Sequence, residues 1–464
     1  MSTNLKQFIE SRQIECKEAY EALSKMGAWD GWYKTLSSLY PDNAHFVFEL
    51  LQNAEDANAT MVKFELDDGS ISFKHDGTRD FNKDDVYSIT NVGDSKKGEE
   101  TNKIGKFGVG FKSVFAYTTS PKIYSKTISF EIKHLFIPSL INPEPIKDGY
   151  TTIFNFPFDR EDKSKADAFS EIKALFDELS DNVLLFLTNI KTIKWQVKNS
   201  KIHKITKEIN NEFIAINNTQ KGTSHWLVYR NVVKFNDQSL TVSVAYSYNK
   251  EKNKIEATRG NVSIFFPAKK ETSKLKFHID APFASTVARD SIVESTENGL
   301  IMADIASLCC ESIHKIKEQG LLSMSFFEVI PNNDDELDEF YKPIFEGLVD
   351  EFESNEHNLI PMENGKFGSL EGVIYCSRIV KDTFNQKDDL LYLFTADLFA
   401  DETHLGFAKN PLINSRSHKF LSELDGLQEY DDNEIFNSFF NNVATLSDTN
   451  LATERKWSRD YDDD

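Results

Sequence analysis

The sequence is poor in the features that mark metal-binding, secreted and membrane proteins. Its 464 residues include only four cysteines, which lack the spacing of a zinc site: Cys16, Cys309, Cys310 and Cys376. The ten histidines show no ligand cluster either. We expect no signal peptide, and the apolar run at residues 183–187 is too short to span a membrane. We therefore expect a cytoplasmic protein with no membrane partner.

Positive charge is also in deficit. The chain has 53 Lys and Arg against 74 Asp and Glu, which gives a net charge of −21 at pH 7. A surface of that sign repels a phosphate backbone, so a general nucleic-acid-binding function is not indicated. Lysines at 193–207 and 269–276 form no dense stripe and are interpreted as solvated. Hydrophobic residues make up 40% of the chain, enough for the cores of two or three domains.

One predicted helix carries polar groups between apolar flanks. Residues 45–57 read HFVFELLQNAEDA, and a period of 3.6 residues places Glu49, Asn53 and Asp56 in one narrow stripe. A carboxylate and an amide are costly to bury without partners. In a lone helix this stripe would more often be a solvated face. The glycine-rich segment downstream favours a binding site instead.

A β-hairpin is predicted next in the chain. Residues 61–77 read MVKFELDDGSISFKHDG, in which two alternating runs flank an Asp-Asp-Gly turn. The hairpin ends at Asp76 and Gly77, where a carboxylate adjoins a residue free to adopt positive φ. An ordinary Asp-Gly turn is the alternative interpretation. The Asp-Gly motif indicates a binding site only because it lies between the predicted helix and the glycine-rich segment.

That segment, residues 105–113, reads GKFGVGFKS and is predicted to bind phosphate. Its glycines let backbone N–H groups approach an anion, and a helix N-terminus behind them adds positive potential. Lys112 could place a point charge on phosphate. The segment is not a Walker A motif, because Phe111 separates Gly110 from Lys112, and it lacks the third glycine of a dinucleotide fingerprint. The polar stretch 78–104, long for a connection, is predicted to be a lid.

Together, residues 45–156 resemble the GHKL (Bergerat-fold) ATPase domain shared by the large heat-shock chaperone ATPase, MutL, type II topoisomerases and histidine kinases. The likeness is closest to the sacsin-type, chaperone-like ATPases and their bacterial relatives. FELLQNAEDA resembles their helix box, HDG their adenine box and GKFGVGFKSVF their second glycine box, while residues 151–157 look like the strand that closes the pocket. The resemblance implies an α+β sandwich with helices on one face of a mixed sheet.

The resemblance also implies a role for each matching residue, with ATP and Mg²⁺ as ligands. Glu49 would be the general base, Asn53 would ligate Mg²⁺, and Asp76 would accept a hydrogen bond from the adenine amino group. Arg289, in a stretch that looks like the family's middle domain, would reach the γ-phosphate; a surface salt bridge is the alternative. His75 departs from the wider superfamily, with little expected effect. The other implied nucleotide contacts are Asp56, Gly77, Gly105, Lys106, Phe107, Gly108, Val109, Gly110, Phe111, Lys112 and Thr152.

The predicted organisation has four parts. An N-terminal helical segment at 1–40 precedes the ATP-binding domain at 41–160. A middle, transducer-like α/β domain follows at 161–325, and a mixed α/β region of unknown role completes the chain at 326–464. A second sheet is expected between about 190 and 283, where short alternating runs recur.

The predicted function is Mg²⁺-dependent ATP binding with slow hydrolysis, in which lid and domain closure act as a conformational switch. The alternatives are a nucleotide-gated binding scaffold with negligible hydrolysis and a chaperone-like, client-binding protein. A histidine kinase is disfavoured, because no histidine lies upstream of His45. A protein partner or homodimer, and a part in bacterial antiphage defence, are implied by family analogy alone.

Overall fold

The computed structural model describes residues 2–29, 31, 46–91, 110–235, 238–286, 290–354, 356–370, 372–384, 406–427 and 429–447. The chain forms two compact units. The first comprises Met1–Ala245, Asn261–Thr272 and Ile279–Ile301, and the second comprises Tyr246–Gly260, Ser273–His278 and Met302–Asp464. The predicted boundary at residue 160 therefore falls inside the first unit.

The described part of the first unit contains α-helices of different lengths and a 3₁₀ helix. They are α1 (Ser2–Lys25), α2 (Phe46–Asp56), α3 (Lys83–Thr90), α4 (Lys165–Glu178), α5 (Asn182–Leu185) and a 3₁₀ helix (Gly110–Ala116). Asn82 caps α3 in a reciprocal capping box with Asp85, and Ser164 caps α4. The predicted helix at 45–57 is confirmed. No helix among the described residues is both long and apolar enough to cross a membrane.

One mixed sheet dominates the first unit. Its strands are β1 (Met61–Asp67), β2 (Ser70–His75), β3 (Lys122–Ser125), β4 (Ser129–Lys133), β5 (Ile137–Leu140), β6 (Thr152–Pro157), β7 (Thr192–Val197), β8 (His203–Asn210), β9 (Phe213–Asn218), β10 (Gly222–Phe235), β11 (Gln238–Asn249), β13 (Val262–Ile264), β14 (Phe266–Pro267) and β15 (His278–Asp280). Neighbours follow the order β14-β13-β15-β11-β10-β9-β8-β7-β1-β2-β6-β3-β4-β5. The helices and the large mixed sheet are consistent with the α+β class.

Strand β1 joins the two parts of this sheet. It pairs antiparallel with β2, where Val62 lies opposite His75, and parallel with β7, where Val62 lies opposite Ile193. Alternation along β1 buries Val62, Phe64 and Leu66, as the sequence pattern predicts. The strands from residue 192 onward therefore continue the first sheet. In the described part of 190–283, the strands therefore extend the first sheet, where a separate second sheet was expected.

The N-terminal helix α1 belongs to this first unit. Gln13 Nε2 donates to Ser139 Oγ at 2.5 Å on β5. Arg12 donates from Nε to Thr90 Oγ1 at 3.4 Å, at the end of α3. Leu5 and Ile9 lie in the same hydrophobic core as β1 and β2. The predicted segment 1–40 thus contributes a helix to the core, and its residues 32–40 lie outside the described part of the chain.

The second unit has helices and short strands. Its helices and those leading into it are α6 (Thr296–Glu318), α7 (Met324–Phe327), α8 (Lys342–Glu353), α9 (Arg378–Phe384), α10 (Arg416–Leu421) and α11 (Asp432–Ser447). Its strands are β12 (Lys254–Glu256), β16 (Ile360–Pro361), β17 (Phe367–Gly368), β18 (Val373–Cys376), β19 (Gly406–Phe407) and β20 (Glu429–Tyr430). Strand β12 pairs with Ser247–Asn249, the residues of β11 that fall in the second unit. Arg416 donates to both carboxylate oxygens of Asp335 at 2.7 Å, a bidentate pair that ties α10 to the chain before α8.

Candidate functional site

A cavity of about 70 Å³ opens where α2, the end of β2, the 3₁₀ helix and β6 meet. Six of the predicted site residues line it: Glu49, Asn53, Asp56, Gly110, Phe111 and Thr152. Its apolar wall includes Phe81, Ile89 and Phe154. Residues far apart in the sequence, from the helix box, the glycine box and the closing strand, thus meet at one place in the first unit.

A larger cleft of about 630 Å³ adjoins this cavity. The two share Asp56, Arg79 and Asp85 in their walls. Arg79 Nη1 donates to both carboxylate oxygens of Asp85 at 2.9 Å. Small-molecule sites usually enclose about 300–1,000 Å³. The cavity alone is below that range, so a ligand of nucleotide size would fit only if the cavity were enlarged or the adjoining cleft were also used.

Glu49 is buried and faces the 3₁₀ helix. Its residue exposure is 5%, whereas Asn53 and Asp56, further along the same stripe, are half-buried. A Cβ added at Gly110 would overlap Glu49 Oε2 and lie 2.6 Å from Glu49 Cδ. The close approach of the carboxylate therefore requires glycine at position 110. This is the one residue of the predicted phosphate segment whose lack of a side chain can be tied to a neighbour in the described structure.

His75 is the last residue of β2 and lines the cavity. The strand buries alternate residues, so Ile71, Phe73 and His75 share the inner face. His75 pairs in register with Thr152 on β6, another cavity residue. Its Nδ1 accepts a hydrogen bond from the backbone N–H of Gly77 at 3.1 Å. Burial lowers the pKa of His75 to about 4, so the ring is neutral at pH 7.

The Asp76 carboxylate is hydrogen-bonded to Thr60 and Met61. Its Oδ1 accepts from the backbone N–H groups of Thr60 and Met61, at 2.7 and 2.8 Å, and its Oδ2 accepts from Thr60 Oγ1 at 2.6 Å. These bonds fix the start of β1. Neither Asp76 nor Gly77 lines the cavity. Gly77 instead allows close packing, because a Cβ there would lie 2.8 Å from the carbonyl oxygen of Ala57.

Lys112, for which a phosphate contact is predicted, is likewise absent from the cavity lining. Its Nζ donates to the backbone carbonyls of Ile89 at 2.5 Å and Leu135 at 2.6 Å. The side chain is buried, and burial lowers the pKa of its ammonium to about 7. In this arrangement Lys112 holds the end of α3 against the loop after β4. Sequence spacing alone does not determine on which side of a short helix a lysine lies, and the phosphate contact of Lys112 stays a prediction.

A buried carboxylate that the sequence analysis passed over lies beside the site. Glu55 is 5% exposed and accepts from the backbone N–H groups of Thr188, Asn189 and Ile190, at 2.7, 2.6 and 2.9 Å. It joins α2 to the loop before β7. Its position, between the stripe residues of the same helix, gave no separate signal in the sequence.

Several predicted residues lie outside the described part of the chain. They are Gly105, Lys106, Phe107, Gly108, Val109 and Arg289, together with the lid residues beyond 91. Asp290, the residue after Arg289, is paired with Lys270 Nζ at 2.5 Å and accepts a hydrogen bond from Thr286 Oγ1 at 2.8 Å. The expected contact of Arg289 with a γ-phosphate stays a prediction.

The second unit contains a group of metal-donor side chains that sequence spacing did not reveal. Among the described residues, His314 on α6, Glu351 near the end of α8 and His357 in the chain after it bring one donor atom each within 4.8 Å of the others. Their separation in sequence hid this proximity. The expectation that no histidines cluster with other ligands is therefore wrong.

Comparison with known proteins gives a partial family likeness. Residues 33–133 match the model of the Sacsin domain. The chain is similar to Protein NO VEIN of Arabidopsis thaliana, with 21% identity over 434 residues, covering 84% of this chain and 15% of that protein. It is also similar to Sacsin of Homo sapiens, with 34% identity over 125 residues, covering 23% of this chain and 3% of that protein. The chain thus spans a small share of the length of both relatives.

Proposed function

We propose that the first unit binds ATP with Mg²⁺ and hydrolyses it slowly, as a GHKL-type ATPase of the sacsin-like kind. The observation that carries this proposal is the meeting of Glu49, Asn53, Gly110 and Thr152 around one cavity. These residues come from the helix, glycine and closing-strand motifs, most of which lie within the stretch similar to the Sacsin domain.

Glu49 is the proposed general base. Its carboxylate is buried against Gly110, at the point where the glycine-rich segment enters the 3₁₀ helix. A carboxylate in this position can take the proton of a water molecule that attacks a phosphate held by that segment. The low exposure of Glu49 keeps bulk water from solvating the carboxylate.

Asn53 is the proposed metal ligand, one helical turn from Glu49. Its amide lines the cavity and is half-buried, so its oxygen is available to a hard cation. Bound Mg²⁺ would neutralise phosphate charge. The apolar wall of Phe81, Ile89 and Phe154 suits the purine, whereas Asn53 and Glu49 lie on the polar side.

A switching role would follow from closure of the lid and of the glycine-rich segment over the nucleotide. The small volume of the cavity, about 70 Å³, supports such a movement, because the site must open to admit a ligand before it can close over it. A protein partner or second copy, chaperone-like client work and antiphage defence stay predictions from family analogy.

The test separates binding from hydrolysis. Glu49→Ala should still bind ATP in a titration calorimeter but release phosphate roughly 10²–10⁴-fold more slowly, the usual worth of a positioned base. Glu10→Ala, an exposed glutamate on α1, is the matched control and should behave as wild type. Binding without turnover in the wild type would favour the nucleotide-gated scaffold. Absence of binding would overturn the proposal.

A further inference from the structure

We propose that His75, not Asp76, recognises the purine, and that it does so by donating a hydrogen bond from Nε2. The ligand is then a purine nucleotide that offers an acceptor at the edge of its six-membered ring. This inference rests on the proposed nucleotide site and adds the chemistry by which the base is recognised.

His75 lies where a bound base would meet it. His75 ends β2 on its buried face, is the register partner of Thr152, and lines the cavity. Asp76 is one residue further and its carboxylate already accepts three hydrogen bonds from Thr60 and Met61. Freeing Asp76 for a base would leave two backbone N–H groups at the start of β1 without their acceptor, which is costly. His75 needs no such rearrangement.

The tautomer of His75 leaves its Nε2 as a hydrogen-bond donor. A neutral imidazole has one N–H donor and one acceptor nitrogen. The backbone N–H of Gly77 donates to Nδ1, so Nδ1 is the acceptor and the proton resides on Nε2. Burial, which strongly favours the neutral ring, keeps this assignment in force at pH 7. Nε2 has no hydrogen-bond partner among the described residues.

The chemical consequence is a reversal of hydrogen-bond direction. A carboxylate can accept from the 6-amino group of adenine, whereas an Nε2–H cannot. It can donate to N1 of adenine or to O6 of a 6-oxopurine. The 6-amino group should therefore contribute little to affinity, and removing N1 from an adenine nucleotide should weaken binding.

The experiment compares four triphosphates in the presence of Mg²⁺ by calorimetry: ATP, purine riboside triphosphate, ITP and 1-deaza-ATP. Purine riboside triphosphate, which lacks the amino group, should bind within about threefold of ATP. If 1-deaza-ATP binds more weakly than ATP by roughly 10-fold or more, N1 is the acceptor; a loss of that size matches one hydrogen bond left unmade in a buried site. If ITP binds more tightly than ATP, O6 is the acceptor. Purine riboside triphosphate binding more than about 10-fold weaker than ATP would overturn the inference.

Two variants sharpen the result. His75→Asp should make the amino group necessary, so that ATP exceeds purine riboside triphosphate by roughly 10-fold or more. His75→Gln, a neutral replacement that can still donate, should retain the wild-type ranking and serves if the aspartate variant does not fold. Equal ranking in wild type and folded His75→Asp counts against the inference alone. Failure of every triphosphate to bind overturns the nucleotide site itself.

A separate observation in the second unit carries a second inference: we infer that His314, Glu351 and His357 bind a divalent transition-metal ion such as Zn²⁺. Nε2 of His314 lies 2.7 Å and Nε2 of His357 lies 3.3 Å from the same oxygen, Oε1 of Glu351. The two rings are 4.7 Å apart at an interplanar angle of 66°. Two imidazole nitrogens and one carboxylate oxygen therefore converge on one point.

The donor set suits zinc. Zn²⁺ binds imidazole nitrogen at about 2.0–2.1 Å and carboxylate oxygen at about 2.0–2.2 Å, and three protein ligands leave a fourth position for water. Donors within 4.8 Å of one another need only small side-chain rotations to reach these distances. All three side chains are partly exposed, at 36%, 19% and 37%, so an ion can enter from solvent. Without an ion, the same atoms form a hydrogen-bonded group.

Calorimetric titration of the EDTA-treated, dialysed protein with Zn²⁺ tests this site. One ion should bind per chain, and His314→Gln, Glu351→Gln and His357→Gln should each weaken binding by roughly 10-fold or more. His225→Gln, on β10 of the first unit, is the matched control and should bind as wild type. The absorbance of Co²⁺ in its place should report tetrahedral coordination. Binding unchanged in His357→Gln, or no binding to the wild type, would overturn the inference.

Discussion

Gly110→Ala is the most informative single change in the first unit. The new Cβ would overlap Glu49 Oε2 and lie 2.6 Å from Glu49 Cδ, well inside the 3.0 Å that Cβ atoms normally keep from other heavy atoms. The atoms in the way belong to the far end of a flexible side chain. Glu49 can therefore turn aside at little cost to stability, but its carboxylate must leave its present position.

The size of the effect follows from the distance. To restore a 3.0 Å contact the carboxylate must move by about 1 Å, and a misplacement of that size can cost about 10²-fold in rate. If Glu49 is the base, the loss should approach but not exceed that of Glu49→Ala. In the double variant the two losses should not add, because both changes remove the same carboxylate from the same place.

The assay is phosphate release under saturating ATP, with thermal unfolding in parallel. Gly69→Ala, in the turn between β1 and β2, is the matched control because a Cβ there meets no atom within 4 Å. We expect Gly110→Ala to be folded, to bind ATP, and to turn over roughly 10²-fold more slowly. Wild-type turnover in this variant would refute the assignment of Glu49 as the base.

Three further predictions concern residues around the cavity. Lys112→Met should leave nucleotide affinity within about threefold of wild type. Burial lowers the pKa of this lysine from 10.5 in the unfolded chain to about 7 in the folded protein, so between these pH values the unfolded chain binds more protons. In thermal unfolding, the wild type should therefore gain stability as pH rises from 7 to 10, and the variant should gain less. Asp76→Asn should lower the free energy of unfolding in urea by about 1–3 kcal/mol, because it weakens three hydrogen bonds to the start of β1, while ATP still binds. Hydrogen exchange within 78–104, measurable at α3, should slow when a non-hydrolysable ATP analogue binds, and equal exchange would identify a simple connection.

Local sequence patterns predicted the elements that carry the site. The 3.6-residue period located α2 and its apolar face, and the period of two located β1 and β2 with their turn. The same alternation contained the signal for His75. It places every second residue from Ile71 on the buried face, so His75 is inside and Asp76 is not. The resemblance to the GHKL family instead implies that the carboxylate of Asp76 contacts the base.

Other features could not be obtained from local patterns. The pairing of β1 with β7, the direction of Lys112 and the approach of His314 to Glu351 each join groups that are far apart in sequence or depend on the register of neighbouring elements. Such contacts are set by packing of the whole unit, which a period of two or 3.6 residues does not encode.

The parallel pairing of β1 with β7 also bears on how the chain folds during synthesis. Val62 meets Ile193 only after about 130 further residues have been made, on the order of 10 s at usual ribosome speeds. Until then one side of the early hairpin is an unpaired strand edge, a template for aggregation. Lys63 and Glu65 of β1 form an ion pair at 2.6 Å in the finished sheet. On the nascent chain the same charges would oppose aggregation through that edge while β7 is still being translated.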